Sequence, residues 1–365
     1  MKNVLYMTGA VVNAGDFLIE KRTKALLNKY IPNIELTTEI RVKKDYSDRI
    51  DYLNSFDAIL FPGGPIYQLD IYPNAIPFVH DLSLINKPIF FIGGGLQSNV
   101  YGPTMSEQTK NFFSLGTKSG VPLGCRDILS YRFLKQQGFK DSELLMTGCP
   151  AWYSLDYIEK TDVNIQTKSK KKICISEPAK TSNIPLLVKL LYTVRNKYKN
   201  DEVLLVIHRE NKNALEVLLP RLKKELGISV VYISGSSEGF EIYDDCDIHI
   251  GFRVHAHIYN LSIRNISFLI NEDIRGRGVN LTLGLENIDI EKPIIRERSF
   301  FNDMFKIAHC VNESLSFDYV IYHLLDCIEE SENNDYYKYC EAFKKMKDFC
   351  GVMLSHITQI DNMIS

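Results

Sequence analysis

The sequence has no hydrophobic run approaching the ~20 residues that a helical membrane span requires. It also has no excess of one charge: 43 lysines and arginines face 45 aspartates and glutamates over 365 residues. The first absence argues against a helical membrane protein, and the second removes the electrostatic footprint of a nucleic-acid partner. The eight cysteines include no C-x-x-C pair and no zinc-ligand spacing, and no H-E-x-x-H appears, so no metal site is expected. Several of these cysteines fall in apolar strand or helix contexts, where reduced packing cysteines are expected. A P-loop lysine pattern is missing, and the glycine-rich loops are not a G-x-G-x-x-G fingerprint, which leaves a nicotinamide cofactor little support. Residues 1–7 already read as a strand with no apolar signal-peptide core ahead of them, so the expectation is a cytoplasmic protein.

What is present is an ordinary globular composition, 45% hydrophobic and 24% charged, in a chain long enough for two cores. Strands and helices alternate twice. In the first array, strands near 1–9, 34–38, 58–61, 88–92, 121–127 and 143–147 alternate with helices that include 107–115 and 128–137. In the second, strands at 173–176, 203–207, 230–233, the apolar residues from 247, and 266–270 alternate with helices at 184–196 and 214–226. Between the arrays, residues 158–172 lose periodicity and end in the run Lys168-Ser-Lys-Lys-Lys172. The expected organisation is α/β, with two Rossmann-like domains facing a cleft. It comprises an N-terminal domain over 1–160, a linker over 161–172, a C-terminal domain over 173–330 and a helical segment over 331–365. A lysine run is usually a solvated face. This one also admits peripheral contact with an anionic membrane surface, such as the inner face of the plasma membrane.

The chain is organised around Asp247-Ile-His-Ile-Gly-Phe-Arg-Val-His-Ala-His. A short apolar strand breaks at Gly251, presents Arg253 and His255, and resumes at helical spacing. A strand-to-helix junction of this kind lies at the carboxyl edge of an open sheet, where ligands bind. A guanidinium two residues from an imidazole suits an anionic substrate that needs a proton donor or acceptor. The bland alternative is a surface cap and a packed core histidine. In the first array Asn13-Ala-Gly15-Asp16 is a glycine-bearing helix start, where Asp16 is equally an ordinary cap. Two further strands end in Pro62-Gly-Gly-Pro65 and Gly93-Gly-Gly-Leu-Gln97, loops that would let backbone approach a ligand closely. Arg126-Asp127 marks another strand end, read first as an ion pair or cap.

Taken in order, Asn13-Ala-Gly-Asp16, Gly93-Gly-Gly-Leu-Gln97, Arg126-Asp-Ile-Leu-Ser130, Thr147-Gly-Cys-Pro-Ala151 and above all Arg253-Val-His-Ala256 resemble the polysaccharide pyruvyl transferase family. The resemblance runs over roughly residues 5–285. It implies a glycosyltransferase-B-like fold and transfer of pyruvate, as a cyclic ketal, from phosphoenolpyruvate to a sugar of a cell-surface glycan or its precursor. The expected partners are therefore phosphoenolpyruvate, as co-substrate with no cofactor, and a saccharide or lipid-linked saccharide. The resemblance assigns Arg253 to the donor's phosphate or carboxylate and His255 to acid–base work, His255 with an unperturbed pKa of about 6.5.

The remaining expectations are Asp16 as an acceptor-side base, and Arg275, Arg277, Lys180 and His208 as further donor-binding groups. Asn13, Gly15, Gly93, Gly94, Gly95 and Arg126 are expected on the acceptor side. Two departures stand out. Cys149 replaces the aspartate of a G-D-P turn, and Asn271-Glu-Asp273 replaces a lysine-bearing segment, so that Asp273 would repel a phosphate unless Arg275 substitutes. The competing reading is a sugar-nucleotide-dependent glycosyltransferase, in which Arg253 and the 270–278 loop hold a diphosphate and Glu238 or Glu241 a ribose. A non-enzymatic carbohydrate-binding protein is the third.

Overall fold

The structure, a computed structural model, describes residues 1–97, 104–163, 170–208, 214–233, 235–290 and 302–364. Of the expected linker and lysine run, residues 164–169 lie outside the described residues.

The N-terminal half is built on β1 (Lys2–Thr8), β2 (Ile34–Ile40), β3 (Ala58–Pro62) and β4 (Ile89–Ile92), paired in parallel in the order β2-β1-β3-β4. A bridge from Gly94 to Cys125 carries the sheet on to β5 (Leu123–Cys125) and β6 (Leu144–Met146). Its helices are α1 (Ala14–Tyr30), the short α2 (Ile50–Asn54), α3 (Glu107–Lys118) and α4 (Ile128–Gln136). Strands β3 and β4 are buried along their whole length. Continuous apolar runs of this kind are what a parallel sheet covered on both faces demands.

The C-terminal half has six parallel strands in the order β12-β11-β10-β7-β8-β9. They are β7 (Lys172–Ser176), β8 (Glu202–Ile207), β9 (Ser229–Tyr232), β10 (Ile248–Gly251), β11 (Ile266–Asn271) and the two-residue β12 (Ile288–Asp289). The helices are α5 (Ile184–Lys197), α6 (Ala214–Leu226), α7 (Val254–Ser262) and α8 (Ile274–Leu283). The segment 270–278, read from the sequence as a loop, is instead the end of β11 and the start of α8, with Asp273 as the N-cap of the helix.

The chain closes with α9 (Asn302–Asn333) and α10 (Tyr337–Met363). Helix α10 crosses back onto the first half: His356 Nε2 donates to the Pro122 carbonyl at 2.8 Å, and Asp361 pairs with Lys2 at 2.7 Å. Arg264, fully buried, donates to the carbonyls of Ile158 and Lys160. One contiguous core runs from Val4 in β1 to Ile364 beyond α10. The two carboxyl edges are therefore held facing each other, and their loops form the walls of one cleft.

Candidate active site

The cleft is lined by Asn13 from the first half and by Phe252, Arg253, His255, Glu272 and Arg275, among others, from the second. It encloses about 490 Å³ of space open to solvent. On the N-terminal side, Asn13 caps α1 by accepting from the Gly15 N–H at 3.1 Å. Across the cleft, His255 sits in the first turn of α7 and lies against Gly15. A Cβ added at Gly15 would stand 2.0 Å from His255 Nδ1, so only glycine admits the imidazole there. Asn13, Gly15 and His255, singled out separately along the sequence, are thus brought together.

His255 keeps part of its surface on the cleft and makes no hydrogen bond among the described residues. Its burial, and then the guanidinium groups of Arg275, Arg126 and Arg253, push its pKa down from 6.5 to about 3. The expectation of an unperturbed imidazole is corrected here. His255 is held neutral, a base rather than an acid, because a cation in a desolvated place beside three others is unfavourable.

The guanidinium groups are themselves engaged. Arg253 pairs with the buried carboxylate of Glu177 at the end of β7, while its Nε finds no partner among the described residues. Glu177 Oε1 also accepts from the His208 N–H at 3.1 Å, and Glu177 Oε2 is buried without a partner among the described residues. Burial raises the Glu177 pKa against the opposing pull of Arg253. Sequence reading missed Glu177, since a single glutamate after a strand carries no pattern. Arg275 is chelated by Asp273, with Nε and Nη2 at 3.0 and 2.7 Å from the two carboxylate oxygens. Asp273 does not confront a bound anion by itself. It caps α8 through the Arg275 N–H at 3.0 Å and neutralises the arginine expected to compensate for it.

The other expected donor groups divide. His208 lines the cleft but is buried and neutral, its Nε2 on the Tyr243 hydroxyl at 2.8 Å. Burial, with Arg253 adding to it, drives its pKa well below the ordinary value. Lys180 stands at the rim, its ammonium donating to the Glu272 carbonyl at 2.8 Å. Arg277 does not join the site. Two residues beyond Arg275 on α8 it points elsewhere, pairing with Asp289 at 3.3 Å and remaining half exposed. Glu238 and Glu241 are exposed on the short turn before β10 and outside the cleft lining.

The acceptor-side glycines also need correction. A Cβ on Gly93 would meet Pro150 at 2.5 Å, on Gly94 the Tyr67 ring at 2.8 Å, and on Gly95 the Arg126 guanidinium at 2.2 Å. The trio is buried. Its close approach is to other protein atoms, because this backbone carries the sheet from β4 to β5. Arg126 is buried too, paired with Asp127 at 2.9 Å and donating to the Leu96 carbonyl at 3.2 Å. Asp127 caps α4 through Ser130. The pair is the structural one that the sequence allowed, and it reaches the site only through its field on His255.

Asp16 faces a second recess, of about 190 Å³, on the edge of the first sheet with Thr8, Glu20 and Arg41. Arg41 is buried, donates to the Pro62 and Gly63 carbonyls, and feels Asp16 electrostatically, as Arg275 does. Burial lowers the Arg41 pKa to about 10. Nothing in the sequence points to Arg41, whose place becomes apparent only when β2 and β3 end on either side of β1.

A model of the polysaccharide pyruvyl transferase family matches residues 13–259, well over half of the chain and both walls of this cleft. The chain belongs to that family. No curated protein sequence matches it significantly. Among solved structures it is similar to the UDP-GlcNAc 2-epimerase of Neisseria meningitidis bound to UDP-GlcNAc, with a TM-score of 0.57, 13% identity and 99% of each chain covered. It is also similar to the UDP-GlcNAc 2-epimerase of Methanocaldococcus jannaschii, with a TM-score of 0.51, 11% identity, and 80% of this chain and 89% of that one covered. At such identities the likeness shows the fold alone, which is of the glycosyltransferase-B type. This polysaccharide pyruvyl transferase family member is thus a two-domain α/β transferase. Among its described residues no helix is long and apolar enough to cross a membrane.

Proposed function

We propose that the protein transfers pyruvate from phosphoenolpyruvate to two hydroxyls of a sugar in a cell-surface glycan or its precursor, forming a cyclic ketal and releasing phosphate. The observation that carries the reading is His255, without a hydrogen bond among the described residues, resting on Gly15 in a cleft lined also by Arg253 and Arg275. The donor's phosphate and carboxylate would add negative charge beside His255 and counter the burial and the arginine fields that hold its pKa down, so that the imidazole takes a proton when the donor is present.

Imidazolium His255 then gives that proton to the methylene carbon, forming a C–H bond as C2 becomes electron-poor. One sugar oxygen attacks C2, the C2–O bond to phosphate breaks, and the second sugar oxygen closes the ring. One hydroxyl proton returns to His255 and the other leaves on the departing phosphate. A positioned acid–base group of this kind contributes about 10²–10⁴ in rate.

A second reading is a sugar-nucleotide-dependent glycosyltransferase. One observation favours it: beside Glu177 and next to the cleft lies a crevice lined by Ile184, Ile207, Leu215 and the half-exposed Tyr232, suited to a flat apolar base. Calorimetric titration with phosphoenolpyruvate, and in parallel with a panel of nucleoside diphosphates, separates the two. Binding of phosphoenolpyruvate that weakens at least tenfold in Arg253→Ala is the expected result. Binding of one nucleotide and not of phosphoenolpyruvate would replace the first reading by the second.

A further inference from the structure

Behind the cleft, buried polar side chains form one unbroken chain through the second half of the protein. Asn280 in α8 donates through Nδ2 to the Glu286 carbonyl at 2.8 Å, which fixes its Oδ1 as an acceptor. His257 Nε2 lies 2.9 Å from that oxygen and must donate to it. Burial holds His257 neutral, its pKa lowered to about 4. Its Nδ1 is then an acceptor, and the Ser267 hydroxyl, 2.7 Å away, spends its one proton there. Ser267 Oγ must in turn accept from His249 Nδ1, also at 2.7 Å. Neutral His249 accepts at Nε2 from Ser176 Oγ at 3.0 Å. Ser176 Oγ has two acceptor positions left, and the N–H groups of Phe252 and Arg253 fill both at 3.1 Å. Gly251 makes room for it: a Cβ there would fall 2.4 Å from Ser176 Oγ.

Donor and acceptor capacity therefore balance at every link, and only one direction satisfies them all. The chain ends on the two amides that open the turn carrying Arg253 and His255. We propose that His249, His257, Ser267 and Ser176 are positioning residues, a one-directional hydrogen-bond relay that locks the 252–255 turn and so sets Arg253 and His255 against the donor. The inference deepens the functional reading of the same cleft and rests on it for its kinetic arm. The geometric reason is that Arg253 N-caps α7 without any side-chain cap of its own, so that beside the relay the turn is held by the Arg253–Glu177 pair and a long bond, 3.4 Å, from the Phe252 N–H to the Ser176 carbonyl. A half-satisfied buried network would cost more than an apolar one, so the relay works as a unit.

The experiment has two arms. Long-range ¹H–¹⁵N spectra of the imidazoles in the wild-type protein need no substrate. They are expected to show His249 as the Nδ1–H tautomer and His257 as the Nε2–H tautomer, with the Phe252 and Arg253 amides shifting in Ser267→Ala. The opposite tautomers, or amides unmoved by Ser267→Ala, would overturn the relay.

Steady-state kinetics form the second arm. Ser267→Ala is expected to lower kcat on the order of 10²-fold, the cost of displacing reacting groups by about 1 Å. Ser267→Thr, which keeps the hydroxyl, should restore most of that loss. Equal kcat in Ser267→Ala and wild type would overturn the positioning role, as would an unrescued loss that tracks the fraction of unfolded protein. If wild-type protein binds no phosphoenolpyruvate, the donor assignment fails while the spectra still decide the relay.

Discussion

The two carboxyl edges that form the cleft are built from opposite materials. The N-terminal edge is rich in glycine, with positive φ at Gly63, Gly64 and Gly93, yet its glycines are filled by Arg41, Pro150, Tyr67 and Arg126 from the same half. The C-terminal edge is rich in titratable side chains, with Glu177, His208, Arg253, His255, Asp273 and Arg275 within one lining or beside it. A glycine-rich loop shows that something approaches the backbone closely without saying what. On the first edge the neighbour is protein. Only Gly15 is different, because the group against it comes from the other domain. Chemistry in this cleft is thus concentrated on the second edge, and the first contributes chiefly the start of α1.

Breaking the second edge should have the largest effect. His255→Ala is expected to lower turnover by about 10²–10⁴ with an unchanged circular dichroism spectrum and melting temperature. Full activity in this variant would remove His255 from the mechanism. Next come two glycine substitutions that test the contrast directly. Gly15→Ala should displace the imidazole and reduce kcat on the order of 10²-fold with little change in stability. Gly94→Ala, by contrast, should leave kcat of the folded fraction unchanged and cost about 1–3 kcal/mol in denaturant unfolding, the overpacking penalty against Ile66 and Tyr67. If the two variants behaved alike, the division between the edges would be wrong.

The third effect is on pH and stability. His208, His249, His257 and His356 are buried, and burial holds their pKa values down, to about 4 for His257 and His356 and well below the ordinary value for the other two. The unfolded chain binds protons at these four near pH 6.5 while the native state does not. Stability is therefore full above pH 6.5 and falls as pH drops from there towards 4, by about 1.4 kcal/mol per pH unit for each histidine taking part. Urea unfolding at a series of pH values measures the slope, and replacing His356, far from the cleft, with Gln should reduce it by about one proton. The smallest effect is expected at Arg277→Ala. This removes a half-exposed ion pair with Asp289 worth about 0–1 kcal/mol, and kcat/KM should change less than twofold. A tenfold loss would bring Arg277 back into the site.

Much of the fold was legible because its signals are local. The apolar runs at 58–61, 88–92, 203–207 and 266–270 became β3, β4, β8 and β11, and the Arg253–His255 turn lies at the strand-to-helix junction read for it. Helix α8 was missed because Asn271-Glu-Asp-Ile-Arg-Gly-Arg-Gly278 has two glycines and strong charge in its first turns, and tertiary contacts override such weak propensity. There Asn271 Oδ1 fills the space beside Gly276, and Asp127 from the other half fills that beside Gly278. The candidate site was half legible. Arg253, His255, Asn13 and Gly15 were found by residue type and position. Glu177 and Arg41 were not, since a lone charged residue at a strand end acquires meaning only from what the fold sets next to it.

By itself the sequence determined two α/β arrays, the alternation that makes their sheets parallel, and the presence of a cation and an imidazole on the second carboxyl edge. Periodicity and residue type are properties of short segments, and short segments carry them. The tertiary structure alone decided that His255 meets Gly15 across the cleft, that Asp273 and Glu177 neutralise the arginines, and that burial with the nearby guanidinium groups lowers the His255 pKa. Those outcomes depend on distances between residues far apart in the chain and on the loss of water around them, and both come into being only when the two halves close on each other.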